Sequence, residues 1–378
     1  MANDYSARSL ELHRKLRGKI KIESACPIET LDDLSLVYTP GVGAVSTYIA
    51  QHPEETDALT WRKNAVAVVS DGSAVLGLGN IGPAAALPVM EGKCAIFKAF
   101  AGVNAVPIVL DTQDPEEIIA TVKAIAPSFG AIQLEDISAP RCFTIERRLQ
   151  EMLSIPVMHD DQHGTAIIVL AGLINAARVV KKNLTDLNIV ISGAGAAGIA
   201  IAELLFKQGI RNIIPVDRQG AIWKGREGLN EEKQLFAGIT NPERRKGSLE
   251  KIVKGADVFI GVSAPGILTR DMVRTMAKDA IVFALANPVP EIMPDEAKMG
   301  GARIVASGRS DFPNQINNAL CYPGLFRGML DKGIKKITDD IKQRAAEAIA
   351  FSVPEPTPDH IIPSMFDAGL VERVAGSV

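Results

Sequence analysis

The hydrophobic positions of this chain form short apolar runs, rich in Val and Ile, that alternate with stretches of helical spacing. The first run begins near residue 65 and the last ends near residue 306. Strands separated by helices of about 10 to 15 residues are typical of parallel βαβ units, so an α/β fold is predicted. The predicted strands are residues 65–69, 106–110, 131–134, 155–158, 189–191, 212–216, 258–261, 281–285 and 303–306.

Between and around these strands, three-residue and four-residue apolar spacing predicts the helices. Ser6 is expected to cap the first helix and Gly18 to end it. Residues 36–43 are expected to form a loop, and residues 218–242 a polar insertion with a short helix. The other predicted helices begin near residues 42, 83, 115, 141, 164, 199, 231 and 337.

Residues 188–217 carry the most informative pattern. A β-branched run at 189–191 leads into a glycine-rich turn, and a helical pattern follows. The turn consists of Gly193, Ala194, Gly195, Ala196, Ala197 and Gly198. In such a turn the first glycine permits the tight bend, the second lets a pyrophosphate approach the backbone, and the third lets the helix pack on the strand. Asp217 ends the next strand, where a carboxylate can accept a ribose hydroxyl. A doubly wound, Rossmann-type dinucleotide-binding domain is therefore predicted, although an ordinary strand–turn–helix unit shares part of the pattern.

Length and composition describe an ordinary globular protein. The chain has 378 residues, 47% of them hydrophobic and 22% charged, with a net charge of −3. No basic stretch favours nucleic acid or an anionic membrane as a partner. The N-terminus is too charged for a secretory signal, and the longest apolar run, residues 166–174, is short for a membrane span. The four cysteines form no CxxC pair, which favours reduced thiols in a cytoplasmic protein.

The strand pattern predicts two domains and a tail. Residues 1–162 are expected to form an N-terminal α/β domain with parallel βαβ units, and residues 163–340 the dinucleotide-binding domain. Residues 341–378 are expected to add a helix and a Pro-rich tail that packs on the first domain. A homodimer is the default expectation for the assembly.

Two predicted strands of the first domain end in acids, which suggests a metal site. Glu135 and Asp136 follow one strand, and Asp160 and Asp161 follow the next. Four carboxylates at one sheet edge would repel one another unless a cation lay between them, and oxygen ligands favour Mg²⁺ or Mn²⁺. His159 and His163 flank these acids and could join them, or be structural. Helix capping is the alternative role for the acids.

Four further residues are candidates for chemistry. Lys93 lies on a predicted helix, and a buried lysine can act as a base, although most helical lysines are solvated. Tyr38 lies beside a Pro-Gly turn, where a buried tyrosine is usually structural. Asn287 and Asn318 follow predicted strands of the second domain, and their amides could reach a ligand.

Together these segments resemble the malic enzymes, in particular their short form, over nearly the whole chain. The matching segments are Tyr38-Thr-Pro-Gly-Val42, Leu76-Gly-Leu-Gly79, Glu91-Gly-Lys93, Gln133-Leu-Glu135-Asp136, His159-Asp-Asp161-Gln-His-Gly-Thr165, the 193–198 fingerprint, Asn287-Pro288 and Asn317-Asn318. So many segments in one order are more specific than any single motif. The resemblance implies oxidative decarboxylation of L-malate to pyruvate and CO₂, with NAD or NADP and a divalent metal.

The resemblance also implies roles for individual residues. Lys93, neutral before the reaction, would accept the proton of the C2 hydroxyl, and Asp160 would orient it. Glu135, Asp136 and Asp161 would hold the metal, which polarises the C2 oxygen and stabilises the charge left by CO₂ loss. Tyr38 would protonate C3 of the product enol. Asn287 and Asn318 would hold the substrate carboxylate or the cofactor.

Two features leave the substrate and cofactor partly open. The long-form family carries a carboxylate-binding arginine two residues before the Leu-Gly-Leu-Gly motif, whereas this chain has Ala74 there. Malate binding therefore needs other groups, and a different 2-hydroxy diacid remains an alternative. Asp217 favours NAD, because a carboxylate repels a 2′-phosphate, while Arg218 could pair with the phosphate of NADP.

Two other functions compete with a malic enzyme. One is a metal-independent, two-domain dehydrogenase acting on amino acids or 2-hydroxy acids, which would share the lysine and the dinucleotide-binding half. The other is a non-catalytic sensor that binds NAD(H) through the same fingerprint.

Overall fold

The computed structural model describes residues 5–378, and its chain begins with four short helices. These are α1 (Tyr5–Leu16), α2 (Leu31–Val37), α3 (Val42–Gln51) and α4 (Thr56–Leu59). None of them contains a buried residue. Ser6 lies within α1 and is not its N-cap, so that prediction is wrong. Residues 36–37 also differ from the predicted loop, because Thr30 and Asp33 form a capping box that starts α2 before them.

A four-stranded parallel sheet follows, with a helix after each of its first three strands. Its elements are β1 (Ala65–Ser70), α5 (Pro83–Ala101), β2 (Asn104–Val109), α6 (Pro115–Ile125), β3 (Ala131–Leu134), α7 (Arg141–Met152) and β4 (Val157–His159). The strand order is β2-β1-β3-β4. The predicted βαβ units are confirmed. Because β3 and β4 are neighbours in register, with Leu134 beside His159, the residues after each strand lie at one sheet edge.

Helix α8 (Asp160–Val180) connects the two halves of the chain. It begins directly after β4, four residues before the predicted start, so Asp160 and Asp161 form its first turn. By length and composition α8 is apolar enough to cross a membrane, but 67% of its most apolar window is buried within the chain. It packs against helices of the second half, and its apolarity is therefore that of a core helix.

The second half is a six-stranded sheet built around the glycine-rich turn. Its elements are β5 (Ile189–Ser192), α9 (Ala196–Lys207), β6 (Ile213–Asp217), β7 (Gly220–Ala221), α10 (Glu231–Ile239), α11 (Leu249–Val253), β8 (Val258–Gly261), α12 (Arg270–Arg274), β9 (Ile281–Ala284), α13 (Pro294–Met299) and β10 (Ile304–Ser307). The order is β10-β9-β8-β5-β6-β7, and only β7 is antiparallel. Strand order reverses between β5 and β8, which places a ligand crevice at their carboxyl ends. The predicted doubly wound fold is confirmed.

Three C-terminal helices close the chain: α14 (Tyr322–Lys332), α15 (Asp339–Ala350) and α16 (Leu370–Ser377). Helix α14 packs on α5 and α16, while α15 packs on α8 and α9. The tail also returns to the first half, since the ring of Phe366 lies 5.7 Å from that of Phe100. The segment from residue 341 onward therefore contacts both halves, and one hydrophobic core continues from β1 through α8 to α15.

Candidate active site

A cavity of about 670 Å³ lies between the two halves at the carboxyl ends of their strands. The first half contributes Lys93 from α5 and the acids Glu135, Asp136 and Asp161. The second half contributes the loops after β9 and β10, including Asn287 and Asn318. Most of the predicted site residues are therefore brought to one place, although they lie up to 225 residues apart in the chain.

Three acids form a compact group of oxygen ligands. One carboxylate oxygen from each of Glu135, Asp136 and Asp161 lies within 4.8 Å of the others. The backbone N–H of Asp136 donates to Oδ2 of Asp161 at 2.8 Å, which fixes the two relative to each other. No side chain caps α7 or α8, whose N-cap residues are Pro140 and His159, so these acids do not have the alternative capping role. An all-oxygen group of this size fits Mg²⁺ or Mn²⁺.

The electrostatics of these acids support a cation between them. Burial and the nearby charge of Asp161 raise the pKa of Asp136 to about 7. Burial likewise raises the pKa of Glu135 well above its usual range, and that of Asp160 to a smaller extent, although Lys93 opposes both shifts. Oδ2 of Asp136 is buried without a hydrogen-bond partner among the described residues. A divalent ion would satisfy this atom and stabilise all three ionised ligands.

Lys93 is held by three acceptors. Its Nζ donates to Oδ2 of Asp160 at 2.7 Å and to Oδ1 of Asn318 at 3.1 Å, and lies 3.0 Å from Oε1 of Glu135. Burial acts to lower the pKa of Lys93, but the charges of Asp160 and Glu135 outweigh it and raise that pKa well above its usual value. This shift favours the ammonium form of Lys93, whereas the role that the family resemblance implies requires a neutral lysine before the reaction.

Tyr38 does not line this cavity in its own chain. It follows α2 at the surface and is 67% exposed. The phenol beside Lys93 is that of Tyr322, a fully buried residue whose ring centre lies 4.9 Å from the lysine Nζ. Tyr322 is not predicted from the sequence, because it lies 229 residues from Lys93 and no motif marks it.

The two histidines near the acids support the start of α8. Nε2 of His163 lies 3.0 Å from Oε2 of the buried Glu146. The other carboxylate oxygen of Glu146, Oε1, accepts a hydrogen bond from the backbone N–H of His159. The positive charge that His163 can carry lowers the pKa of Glu146, although burial opposes the shift. His159 is buried, with its Nε2 3.6 Å from Oδ2 of Asp161. Neither histidine belongs to the group of three acids.

The Leu-Gly-Leu-Gly segment contacts the opposite wall of the cavity. A Cβ atom at Gly77 would lie 1.7 Å from the carbonyl oxygen of Asn287, so only glycine fits this contact between the halves. A Cβ at Gly164 would overlap Asp160 in the same way, at 2.0 Å from Oδ1. Both glycines belong to segments that carried the family resemblance, and close backbone approach accounts for them.

The glycine-rich turn forms a second cavity, of about 800 Å³. Gly193 has a φ of +118°, and a Cβ at Gly198 would lie 2.0 Å from the Gly193 carbonyl oxygen. A Cβ at Gly195 would meet nothing within 4 Å, which leaves room for a phosphate at the N-terminus of α9. Val262 and Ser263 line both cavities, so the dinucleotide crevice adjoins the cavity of Lys93.

Asp217 lines the second cavity but is already paired. Arg226 donates to both of its carboxylate oxygens, at 2.9 and 2.5 Å, and Nζ of Lys233 lies 3.3 Å from Oδ2. These cations lower the pKa of Asp217 despite its partial burial. Arg218 is exposed and lines the same cavity. Arg218 is the arginine predicted from the sequence, whereas Arg226, which reaches Asp217 across the turn that contains β7, is not predicted.

Comparisons with known proteins agree with this geometry. The malic enzyme N-terminal domain matches residues 17–150, and the malic enzyme NAD-binding domain matches residues 162–371. The chain belongs to the malic enzyme family. It is 57% identical to the NAD-dependent malic enzyme of Geobacillus stearothermophilus, over 99% of this chain and 78% of that protein. It is 46% identical to the NADP-dependent malic enzyme of Halomonas elongata, over 98% of this chain and 92% of that protein.

A solved structure extends the similarity to the fold. The NAD-dependent malic enzyme of Thermotoga maritima superposes with a TM-score of 0.95 at 49% identity, covering 98% of each chain. The malic enzyme fold, with its dinucleotide-binding half, is therefore common to both. The names of the two relatives differ in cofactor, so the family alone indicates a nicotinamide cofactor and does not choose between NAD and NADP.

Proposed function

We propose that this malic enzyme oxidises L-malate and releases CO₂ to give pyruvate in the cavity that contains Lys93, with reduction of NAD(P)⁺ in the adjoining crevice. The observation that carries the proposal is the convergence of a largely buried lysine and three oxygen ligands in one cavity that shares a wall with the dinucleotide crevice. A spectrophotometric assay of nicotinamide reduction with malate, Mn²⁺ and each cofactor in turn tests it.

The metal-independent dehydrogenase and the sensor give different results in the same assay. A metal-independent dehydrogenase would keep its activity in EDTA. A sensor would bind NAD(H) without any malate-dependent reduction. Activity that is lost in EDTA and restored by Mn²⁺ or Mg²⁺ is the result expected here.

Glu135, Asp136 and Asp161 would hold the divalent metal. When bound, it supplies a Lewis acid that withdraws electron density from the C2 oxygen and from the carbon framework as CO₂ leaves. If Glu135 binds the metal, its negative charge is shared between the metal and Lys93, so it would hold the lysine less strongly. The pKa of Lys93 would then fall towards the range in which a lysine can act as a base.

Lys93 is the proposed general base, and Asp160 its positioning residue. The C2 hydroxyl loses its proton to Nζ while the C2 hydride passes to the nicotinamide. Asp160 is fully buried and accepts from Nζ at 2.7 Å, so it can orient the lysine throughout. Asn318 also accepts from Nζ, and Asn287 lines the same cavity, which supports roles for both in substrate or cofactor binding.

Tyr38 is proposed as the acid that protonates C3, acting in the cavity of a second subunit. Its 67% exposure is difficult to reconcile with a role in its own chain. Apolar side chains near it are exposed as well, including Leu31 at 83% and Leu36 at 68%. Exposed apolar groups gathered on one segment are typical of a protein interface. A homodimer in which the partner subunit's Tyr38 completes each site accounts for both features.

NAD is the proposed cofactor. The support is Asp217, whose carboxylate can accept a ribose hydroxyl and would repel a 2′-phosphate. Arg226 and Lys233 reduce this repulsion, so discrimination against NADP is expected to be moderate. Comparison of kcat/KM for NAD⁺ and NADP⁺ tests the preference, and an NADP⁺ preference would overturn it.

The four cysteines are free thiols, which supports a reducing, cytoplasmic location.

A further inference from the structure

The cavity has few cations to bind a substrate with two negative charges. Glu135, Asp136, Asp160 and Asp161 surround the reacting centre, and Lys93 already serves three acceptors. Two hydrogen bonds and one ion pair therefore already engage Lys93, and its proposed role as the base directs it to the C2 hydroxyl and not to a substrate carboxylate. Ala74 also lines the cavity, at the position where the long-form family carries an arginine. The divalent metal proposed at the three acids would act on the C2 oxygen, so the carboxylate at the far end of a dicarboxylate needs a positive group of its own.

Lys19 is a cation in the wall of this cavity whose Nζ forms no ion pair within 4.0 Å among the described residues. Burial lowers the pKa of Lys19, and the charge of Glu91 partly opposes that shift. It follows α1, and its backbone N–H donates to Oε2 of Glu91 at 3.1 Å, which anchors the segment to α5. Its Nζ donates to the carbonyl oxygen of Pro88 at 2.7 Å. Among the described residues, no carboxylate oxygen lies within the 4.0 Å of an ion pair to Nζ. Two of its three hydrogens are therefore available to a ligand.

The surroundings of Lys19 leave room for that ligand. Gly92 precedes Lys93 on α5, and a Cβ there would lie 3.5 Å from Nζ of Lys19, so the glycine leaves this approach uncrowded. His13 also lines the cavity, with Nδ1 2.7 Å from the carbonyl oxygen of Ser9. Its Nε2 is buried without a partner among the described residues. A second polar atom is thus free in the wall that α1 and the segment after it supply.

We propose that Lys19 is a substrate-binding residue, whose ammonium pairs with one carboxylate of a four-carbon 2-hydroxy dicarboxylate. This rests on the proposed function, and it names the group that recognises the second charge of that substrate. Lys19 takes the place of the missing arginine from a different part of the chain. It makes the cavity selective for dicarboxylates, because a ligand without the second carboxylate would leave the ammonium without its counter-ion.

The test compares Lys19→Met, which keeps the length of the side chain without its charge, with Lys19→Arg and Lys21→Met. Lys21 is an exposed lysine two residues away and serves as the matched control. In Lys19→Met we expect KM for malate to rise about 10- to 100-fold, the range of a lost charge-assisted hydrogen bond. KM for the nicotinamide cofactor and the concentration of Mn²⁺ for half-maximal activity should each change less than about twofold. Tm should change by less than about 2 °C. Lys19→Arg should recover most of the affinity, and Lys21→Met should resemble the parent protein.

A second measurement separates this inference from the reaction itself. Succinate has two carboxylates but no 2-hydroxyl, so its binding can be measured by calorimetry even if malate is not turned over. Lys19→Met should weaken succinate binding about 10-fold or more, and Lys21→Met should not. Unchanged malate KM and succinate affinity in Lys19→Met would overturn the proposal. Equal losses for malate, cofactor and Mn²⁺, with a lower Tm, would also overturn it, since they would assign Lys19 a structural role.

Discussion

Nζ of Lys93 donates a hydrogen bond to Oδ2 of Asp160 at 2.7 Å, and both side chains lie deep between the two sheets. The negative charge of Asp160 is among the main causes that raise the pKa of Lys93. The acidic limb of the pH profile of kcat/KM should report the pKa that Lys93 has when the metal is bound, because a base must lose its proton before it can accept another.

Asp160→Asn should therefore move the acidic limb to lower pH and also lower the maximal rate. The neutral amide keeps the size of the side chain but no longer favours the ammonium form, and it positions the lysine less well. The profile of kcat/KM against pH, measured with saturating Mn²⁺, checks this. Asp257→Asn is the control, since Asp257 forms a similar pair with Lys182 outside the cavity, at 2.6 Å. A limb that stays in place, or moves to higher pH, would contradict the positioning role.

Lys93→Ala should lower kcat by about 100- to 10,000-fold, the usual contribution of a general base. Cofactor binding should remain, because the dinucleotide crevice is built from the other half of the chain. Lys98→Ala, on the same helix but paired with Asn104 at the surface, should keep nearly full activity. Fluorescence titration with NADH and steady-state kinetics check both variants. Near-normal turnover by Lys93→Ala would exclude the lysine as the base.

Tyr38 and Lys93 should complement each other between subunits. Tyr38→Phe and Lys93→Ala homodimers are each expected to be nearly inactive. After exchange of subunits, one site of each mixed dimer would combine an intact Lys93 with the partner subunit's Tyr38, so about a quarter of the parent activity should return.

No recovery in verified mixed dimers would show that Tyr38 does not act in the partner's cavity. Tyr322→Phe distinguishes the other phenol near Lys93. Its hydroxyl donates only a long bond, 3.4 Å, to the carbonyl oxygen of Lys93, so this variant should retain most of its activity. A loss of activity in Tyr322→Phe with the fold intact, together with an active Tyr38→Phe, would transfer the acid role to Tyr322.

Asp136 should make the metal-free protein less stable as the pH rises. Its pKa is raised to about 7 in the folded chain, against about 4 when unfolded, so the folded state holds the proton more tightly. Stability from this group is present below the unfolded pKa and is lost as the pH rises towards 7 and above. The loss is about 4 kcal/mol at most, since one pKa unit corresponds to about 1.4 kcal/mol.

Thermal unfolding in EDTA between about pH 5 and pH 8 tests this difference. Tm should fall more steeply with pH in the parent protein than in Asp136→Asn. Mn²⁺ should restore Tm most at the higher pH, where the ligands are ionised, and should do little for Asp136→Asn. Parallel curves for the two proteins would show that Asp136 does not titrate as the structure indicates.

The sequence predicts well what depends on neighbouring residues. The parallel strands of both sheets and the turn at Gly193 follow from local apolar periodicity and glycine spacing, and the structure confirms them. The short antiparallel strand β7 was not predicted, because it lies in a polar segment without apolar alternation. The sequence predicts the correct sheet edge for Asp160 and Asp161 but not that they lie in α8, because a polar run after a strand carries no apolar period.

Tyr322 and Lys19 are not predicted from the sequence, because their contacts with α5 span long stretches of chain. For Tyr38, the proposed contact lies outside the chain altogether.

Asp217 and Arg226 should determine the choice of cofactor. Asp217→Ser removes the charge that repels a 2′-phosphate and frees Arg226, whose Nε is buried without a partner among the described residues, to face the ligand. The ratio of kcat/KM for NADP⁺ to that for NAD⁺ should therefore rise about 10- to 100-fold, as expected for a gained charge-assisted pair.

In the Asp217→Ser background, Arg226→Met should reverse most of this gain. Arg218→Met should reverse less, because Arg218 is exposed and does not contact Asp217. If Arg218→Met had the larger effect, Arg218 would be the phosphate-binding group. Arg226 would then serve only to hold the turn, through its hydrogen bonds to the carbonyl oxygens of Gly220 and Ala221.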